Sequence, residues 1–148
     1  MSQGTGSTRL VVPVAEIVAR VPGAHIPLLD PFLDAEDVDE GVIAELRELF
    51  ADLVPFAFIL GEPARFPDGE TYLPPQPVNV FRRITHSLRR AFPEVVGATT
   101  SLDTVIPHLS LPEGALVPTP LEVHAREALL LGEGGVTIAT FRFGTTAA

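Results

Sequence analysis

Helical spacing is confined to two stretches of this 148-residue chain, which limits how much of the fold helices can supply. In each stretch apolar residues recur at intervals of three and four, the pattern of an amphipathic helix with one buried side. The two sets are Val42, Leu46, Leu49 and Leu53, and Phe81, Ile84, Leu88 and Phe92. We therefore predict helices over 37–53 and 78–92, with Asp37, Asp39 and Glu40 in the first turn of the former, where carboxylates suit the helix dipole.

The sequence pattern of the rest of the chain predicts short strands. β-branched and apolar segments, bounded by proline and glycine, predict strands over 9–14, 24–29, 56–60, 70–73, 105–111, 121–126 and 136–143. Gly132–Gly135 predicts a hairpin turn between the last two. The order β, β, α, β, β, α, β, β, β indicates an α+β fold, with two helices packed on mainly antiparallel sheets. We expect one domain over 9–143, with tails over 1–8 and 144–148.

The charge of the chain favours a small ligand. The formal net charge is −9, and all ten basic residues are arginine. Because long nucleic acids are bound through many cationic contacts, such a partner is not expected. The absence of cysteine excludes thiolate chemistry. With no recognisable metal or cofactor motif, signal peptide or membrane span, we expect a cofactor-free cytoplasmic protein that acts on a small molecule. Its oligomeric state is left open.

Two short segments of similar pattern carry the chemistry. Ala24-His-Ile-Pro-Leu28 and Pro107-His-Leu-Ser-Leu111 each place a histidine in a predicted strand. Side chains two apart in a strand share a face, so His25 projects with Pro27, and His108 with Ser110. If the strands are neighbours, two imidazoles share one site. One could accept a proton from an attacking water while the other donates one to the departing oxygen.

These motifs resemble those of the 2H phosphoesterase superfamily, which includes the 2′-5′ RNA ligase-like proteins and cyclic phosphodiesterases. The first motif extends to Asp30-Pro31-Phe32, and further landmarks follow at 65–69, 72–75 and 92–94. The resemblance covers about residues 9–143. It implies a bilobal fold with a central cleft, His25 and His108 as the catalytic pair, and a hydroxyl at each +2 position to hold phosphate. Ser110 supplies one hydroxyl; position 27 is proline instead.

Other residues are candidates for binding the substrate. Tyr72 could wall the cleft, and three strand arginines could hold a phosphate: Arg9, Arg126 and Arg142. His124 shares a predicted strand face with Arg126. The arginine-rich side of the second helix, with His86, is interpreted as a solvated face.

The leading hypothesis is a metal-independent phosphoesterase that hydrolyses a cyclic phosphodiester or 2′-5′ linkage of a small nucleotide. The first alternative is a repurposed scaffold that uses the histidines for proton transfer, as in a cyclisation or isomerisation of an apolar metabolite. Pro27 and the acidic composition favour it. The second alternative is a non-catalytic binding module, since a fold does not guarantee chemistry. An arginine near the histidines would favour the phosphoesterase, and an apolar cleft would favour the first alternative.

Overall fold

The elements form where short apolar segments lie between turns that contain proline or glycine. The computed structural model describes residues 8–17, 21, 23–29, 32–93, 108–112 and 114–144. These residues form the strands β1 (Arg9–Pro13), β2 (His25–Leu29), β3 (Phe56–Leu60), β4 (Ala64–Arg65), β5 (Thr71–Leu73), β6 (Pro75–Gln76), β7 (Leu109–Leu111), β8 (Leu121–Ala125), β9 (Glu127–Leu131) and β10 (Thr137–Arg142). They also form the helices α1 (Glu40–Ala51) and α2 (Val78–Ala91), and short 3-10 turns at Ala15–Ile17, Ala35–Asp37 and Glu133–Gly135. The fold is α+β, as predicted.

Helix α1 begins later than the sequence pattern predicts. Asp39 is its N-cap, and its carboxylate accepts a hydrogen bond of 2.9 Å from the backbone N–H of Val42. This bond satisfies a donor that the helix itself leaves unpaired. The predicted start at residue 37 was wrong, because Asp37 closes a separate 3-10 turn. Of the three carboxylates placed in the first turn, only Glu40 lies there.

The predicted buried sides differ between the helices. Phe81, Ile84, Leu88 and Phe92 are all buried, which confirms the pattern on α2. On α1 only Leu46 of the predicted set is buried, together with Phe50. The others are half-buried and pack against the rim of the core: Val42, Leu49 and Leu53. Helix α1 therefore buries fewer side chains than its apolar spacing predicts.

The sheets place the two histidine segments next to each other. One sheet has the order β10-β9-β1-β2, and two smaller sheets have the orders β6-β3-β8 and β4-β5-β7. All their pairings are antiparallel. Strands β2 and β7 are each the last strand of their sheet and contact one another, while α2 packs on β2 and α1 on β10.

The core lies between the sheets and the helices. Leu10, Val12, Ile26, Leu28 and Leu130 alternate with residues of the opposite face and are fully buried. Each such side chain contributes roughly 1.5–3 kcal/mol when removed from water. Phenylalanines join α1 to the four-stranded sheet: the Phe50 ring stacks on Phe141 and Phe143 at centroid distances of 5.6 and 5.9 Å.

A buried hydroxyl ties α2 to the strand that carries His25. Thr85 lies on the buried side of α2, and its Oγ1 donates a hydrogen bond to the Leu28 carbonyl oxygen on β2. Because β2 has a ladder partner on one side only among the described strands, this bond satisfies a carbonyl that faces the helix.

The strand predictions need three corrections. Strands β4 and β6 were missed, because two residues carry no detectable period, and β9 was missed, because its four consecutive apolar residues do not alternate with polar ones. The strand predicted over 121–126 ends at Ala125, and β9 begins at Glu127. His108 directly precedes β7 rather than lying inside it, and residues 105–107 lie outside the described residues. The glycine turn between β9 and β10 is confirmed, with φ of +75° at Gly134 and +81° at Gly135. No helix among the described residues is long and apolar enough to cross a membrane.

Candidate active site

His25 is the first residue of β2 and lies opposite Pro13 of β1. Its imidazole is half-buried, and Nδ1 lies 2.8 Å from the carbonyl oxygen of Gly23. Since a carbonyl can only accept, this contact requires the proton of the neutral ring to be on Nδ1. Gly23 has φ of +74°, a conformation that glycine adopts without steric cost. The turn thus leaves Nε2 as the histidine atom available for proton transfer.

His25 lines an apolar cavity of about 280 Å³. Its walls come from β1, β9 and the segments beside them: Val11, Pro13, Val14, Ala15, Gly23, Ala24, Leu129, Leu131, Gly135 and Thr137. Val11 and Leu131 are buried here, although they lie outside the main core cluster. Around His25, the face of the four-stranded sheet that lies opposite the core is therefore also apolar.

His108 lies in an aromatic corner of the neighbouring sheet. Its ring makes edge contacts with Phe66 at 5.1 Å and with Tyr72 at 6.0 Å between centroids. Phe66 and Tyr72 stack on one another at 4.0 Å. Tyr72 pairs with Ser110 across β5 and β7, so these two side chains and His108 share one face. Ser110 is exposed, whereas Leu109 and Leu111 point into the core.

The contact between β2 and β7 brings the two motifs together. Each histidine is half-buried at the start of its segment, on the face opposite the core. That both imidazoles bracket one small group, about 5–8 Å apart, stays a prediction.

Pro27 occupies the position equivalent to Ser110. It is half-buried, opposite Val11, on the face that also carries His25. A proline is tolerated there because β2 is the last strand of its sheet, where a missing N–H costs little. Pro27 supplies no hydroxyl at this position.

The three predicted arginines and His124 lie in two different parts of the structure. Arg126, Arg142 and His124 line a polar cavity of about 350 Å³ with Glu16 and Glu127. Pro13 and Ala15 border both this cavity and the one around His25. Arg9 is half-buried at the start of β1, opposite Leu131, and its Nε atom is buried without a hydrogen-bond partner in the described structure. None of the three arginines lines the His25 cavity as the structure describes it.

Sequence reasoning missed two residues of these sites. Phe66 follows the two-residue strand β4, which is too short to recognise, although Asp68-Gly69 after it signals a turn. Glu16 accepts a hydrogen bond of 2.9 Å from the backbone N–H of His124 through its carboxylate. The two residues are 108 positions apart, and no local pattern relates them. Among the described residues, no group of three histidine, aspartate or glutamate side chains could hold a metal ion.

Comparisons with known proteins agree with this architecture. A family model described as the 2′-5′ RNA ligase superfamily matches residues 13–129. Among solved structures, Escherichia coli LigT complexed with 3′-AMP is similar with a TM-score of 0.68 and 15% identity, over 95% of this chain and 99% of that one. LigT complexed with NADP+ gives a TM-score of 0.64 and 14% identity, over 97% and 100%.

The protein TT0787 of Thermus thermophilus is also similar, with a TM-score of 0.62 and 18% identity, over 95% of this chain and 99% of that one. At such identities these likenesses show the fold. No curated protein sequence matches the chain significantly.

Proposed function

Because this chain belongs to the 2′-5′ RNA ligase superfamily, we propose that its phosphoesterase-type scaffold hydrolyses a cyclic phosphodiester or 2′-5′ linkage of a small nucleotide. The observation that carries the proposal is the matched placement of the histidines. His25 is half-buried on the non-core face of β2, and His108 is half-buried directly before β7, the strand that contacts β2. The Gly23 carbonyl fixes the tautomer of His25.

The reaction needs two proton transfers. One imidazole accepts a proton from water as the water oxygen forms a bond to phosphorus. The other donates a proton to the ester oxygen as its bond to phosphorus breaks. In either role His25 acts through Nε2, since Nδ1 is engaged with Gly23. Ser110, exposed on the His108 face, can donate its hydroxyl to a phosphoryl oxygen. This pathway uses no metal ion.

A small nucleotide suits the chain better than a long nucleic acid. The net charge of −9 opposes binding to a polyanion. Escherichia coli LigT, which shares the fold, has been crystallised with 3′-AMP and with NADP+. We extend this ligand class to the present chain.

The apolar lining of the His25 cavity favours a second candidate function. No arginine is among the described residues that line this cavity, so charge that develops on phosphoryl oxygens would gain little stabilisation from them. The same imidazole in an apolar cavity would suit proton transfer in the cyclisation or isomerisation of an apolar metabolite.

The test is turnover of adenosine 2′,3′-cyclic phosphate and 2′-5′-linked diadenosine, alongside a panel of apolar metabolites, followed by chromatography and ³¹P NMR. We expect phosphodiester hydrolysis that His25→Asn lowers by about 10²–10⁴-fold. His86→Asn, an exposed histidine on α2, is the matched control and should retain the activity. Turnover confined to the apolar panel would select the second candidate. Hydrolysis that survives His25→Asn would overturn the paired-histidine reaction.

A further inference from the structure

The cavity beside that of His25 is built by a break in the alternation between β8 and β9. Val123, Ala125, Ala128 and Leu130 are buried, so the two residues between Ala125 and Ala128 cannot alternate. Both Arg126 and Glu127 therefore lie on the non-core face, Arg126 exposed and Glu127 half-buried. His124 is exposed and lines the same cavity. A regular strand would have separated these side chains between two faces.

A third strand adds a second arginine at the same place. Arg142 of β10 pairs with Glu127 of β9. The backbone N–H of Phe143 donates to the carbonyl oxygen of Arg126 at 2.9 Å, which fixes β10 against the break. Both arginine side chains are exposed. Backbone hydrogen bonding thus places both arginines at the same cavity.

The remaining lining defines what the cavity can bind. Glu16 holds the backbone N–H of His124 at 2.9 Å, so one of its carboxylate oxygens is already engaged. Glu127 lines the same cavity and pairs with Arg142 across β9 and β10. Guanidinium groups bind phosphate in a bidentate manner, and carboxylates accept hydrogen bonds from hydroxyl groups. The combination matches a phosphate monoester on a sugar.

The position of this cavity connects it with the reaction site. Pro13 and Ala15 border both cavities, and Pro13 lies directly opposite His25. One small molecule can therefore place its reacting group at His25 and a second polar group beyond Pro13.

Resting on the proposed function, we infer that the cavity of His124, Arg126 and Arg142 is a substrate subsite for a second phosphate, separate from the one that reacts. The substrate class is a nucleoside cyclic phosphate that carries a terminal phosphate monoester. Its arginines bind this second phosphate, so the subsite selects the substrate rather than taking part in the bond changes.

The experiment compares adenosine 2′,3′-cyclic phosphate with and without a 5′-phosphate. For the wild-type chain, kcat/KM should be about 10–10²-fold higher with the 5′-phosphate, as expected for charged hydrogen bonds. Arg126→Gln and Arg142→Gln should each reduce this ratio by about tenfold. Arg82→Gln removes the same charge from the exposed surface of α2 and should leave the ratio as it is. An equal kcat/KM for both substrates in the wild type would overturn the subsite and leave the proposed reaction standing.

A binding measurement separates the two proposals. Calorimetric titration with 5′-AMP needs no turnover and is made on the wild type and on the Arg126→Gln/Arg142→Gln double variant. We expect the affinity to fall by at least tenfold in the double variant. If neither cyclic phosphate is hydrolysed but this loss is seen, the subsite stands and the proposed reaction fails. Equal affinities overturn the subsite, whatever the activity. Circular dichroism and a urea midpoint confirm that each variant folds.

Discussion

The hydrogen bond between Thr85 and Leu28 is expected to make a measurable contribution to stability. Thr85→Val keeps the shape of the side chain but removes the hydroxyl that donates to the Leu28 carbonyl. Thr85 is only 7% exposed and Leu28 is 0% exposed, so water cannot readily replace the lost donor. A buried carbonyl left without its partner costs about 1–3 kcal/mol, and the added methyl group returns part of this. We expect a net loss of about 1–2 kcal/mol.

Urea unfolding followed by circular dichroism measures this loss. The midpoint should fall while the slope stays constant, because the area exposed on unfolding is unchanged. The melting temperature should fall by roughly 3–7 °C for a chain of this size. Thr140→Val on β10 is the matched control, because Thr140 is exposed, and its effect should stay within about 0.5 kcal/mol. A Thr85→Val midpoint equal to that of the wild type would refute the assigned role of this bond.

Three further changes test the site. Pro27→Thr restores a hydroxyl on the His25 face and should raise kcat/KM for the cyclic phosphate about tenfold; an unchanged value would contradict a phosphate contact there. Phe66→Leu removes the ring that contacts His108 at 5.1 Å and should lower kcat about tenfold, whereas Phe66→Tyr should not. Glu16→Ala should lower the free energy of unfolding by about 0.5 kcal/mol, because the N–H of the exposed His124 then bonds to water instead, and Glu16→Gln should preserve it. Equal stability of the two Glu16 variants would count against that bond.

The fold was largely predictable because its signals are local. The α2 spacing gave the buried positions correctly, from Phe81 to Phe92. The start of α1 was placed too early, because both Asp37 and Asp39 precede it and only the geometry shows that Asp39 is the cap. Strands β4 and β6 were missed because pairing partners, not propensity, define two-residue strands.

The site was predictable only where a motif repeats. The two similar motifs raised the possibility that their strands are neighbours, and β2 and β7 do contact one another. The division of the predicted arginines was not predictable, because it depends on the break at Arg126 and on the register of Arg142 with Glu127. An alternating pattern that stops at residue 125 and resumes out of phase at residue 128 is the signal that could have revealed this break.

The central claim is that His25 and His108 act as one catalytic unit, and a double-mutant cycle tests it most directly. The measurement is kcat for the cyclic phosphate in the wild type, His25→Asn, His108→Asn and the double variant. If the two histidines act as one unit, replacing either one already removes the contribution of both to kcat. The double variant should therefore be no more than a few-fold slower than the slower single variant. Losses that multiply, or a single variant with wild-type kcat, would contradict the account.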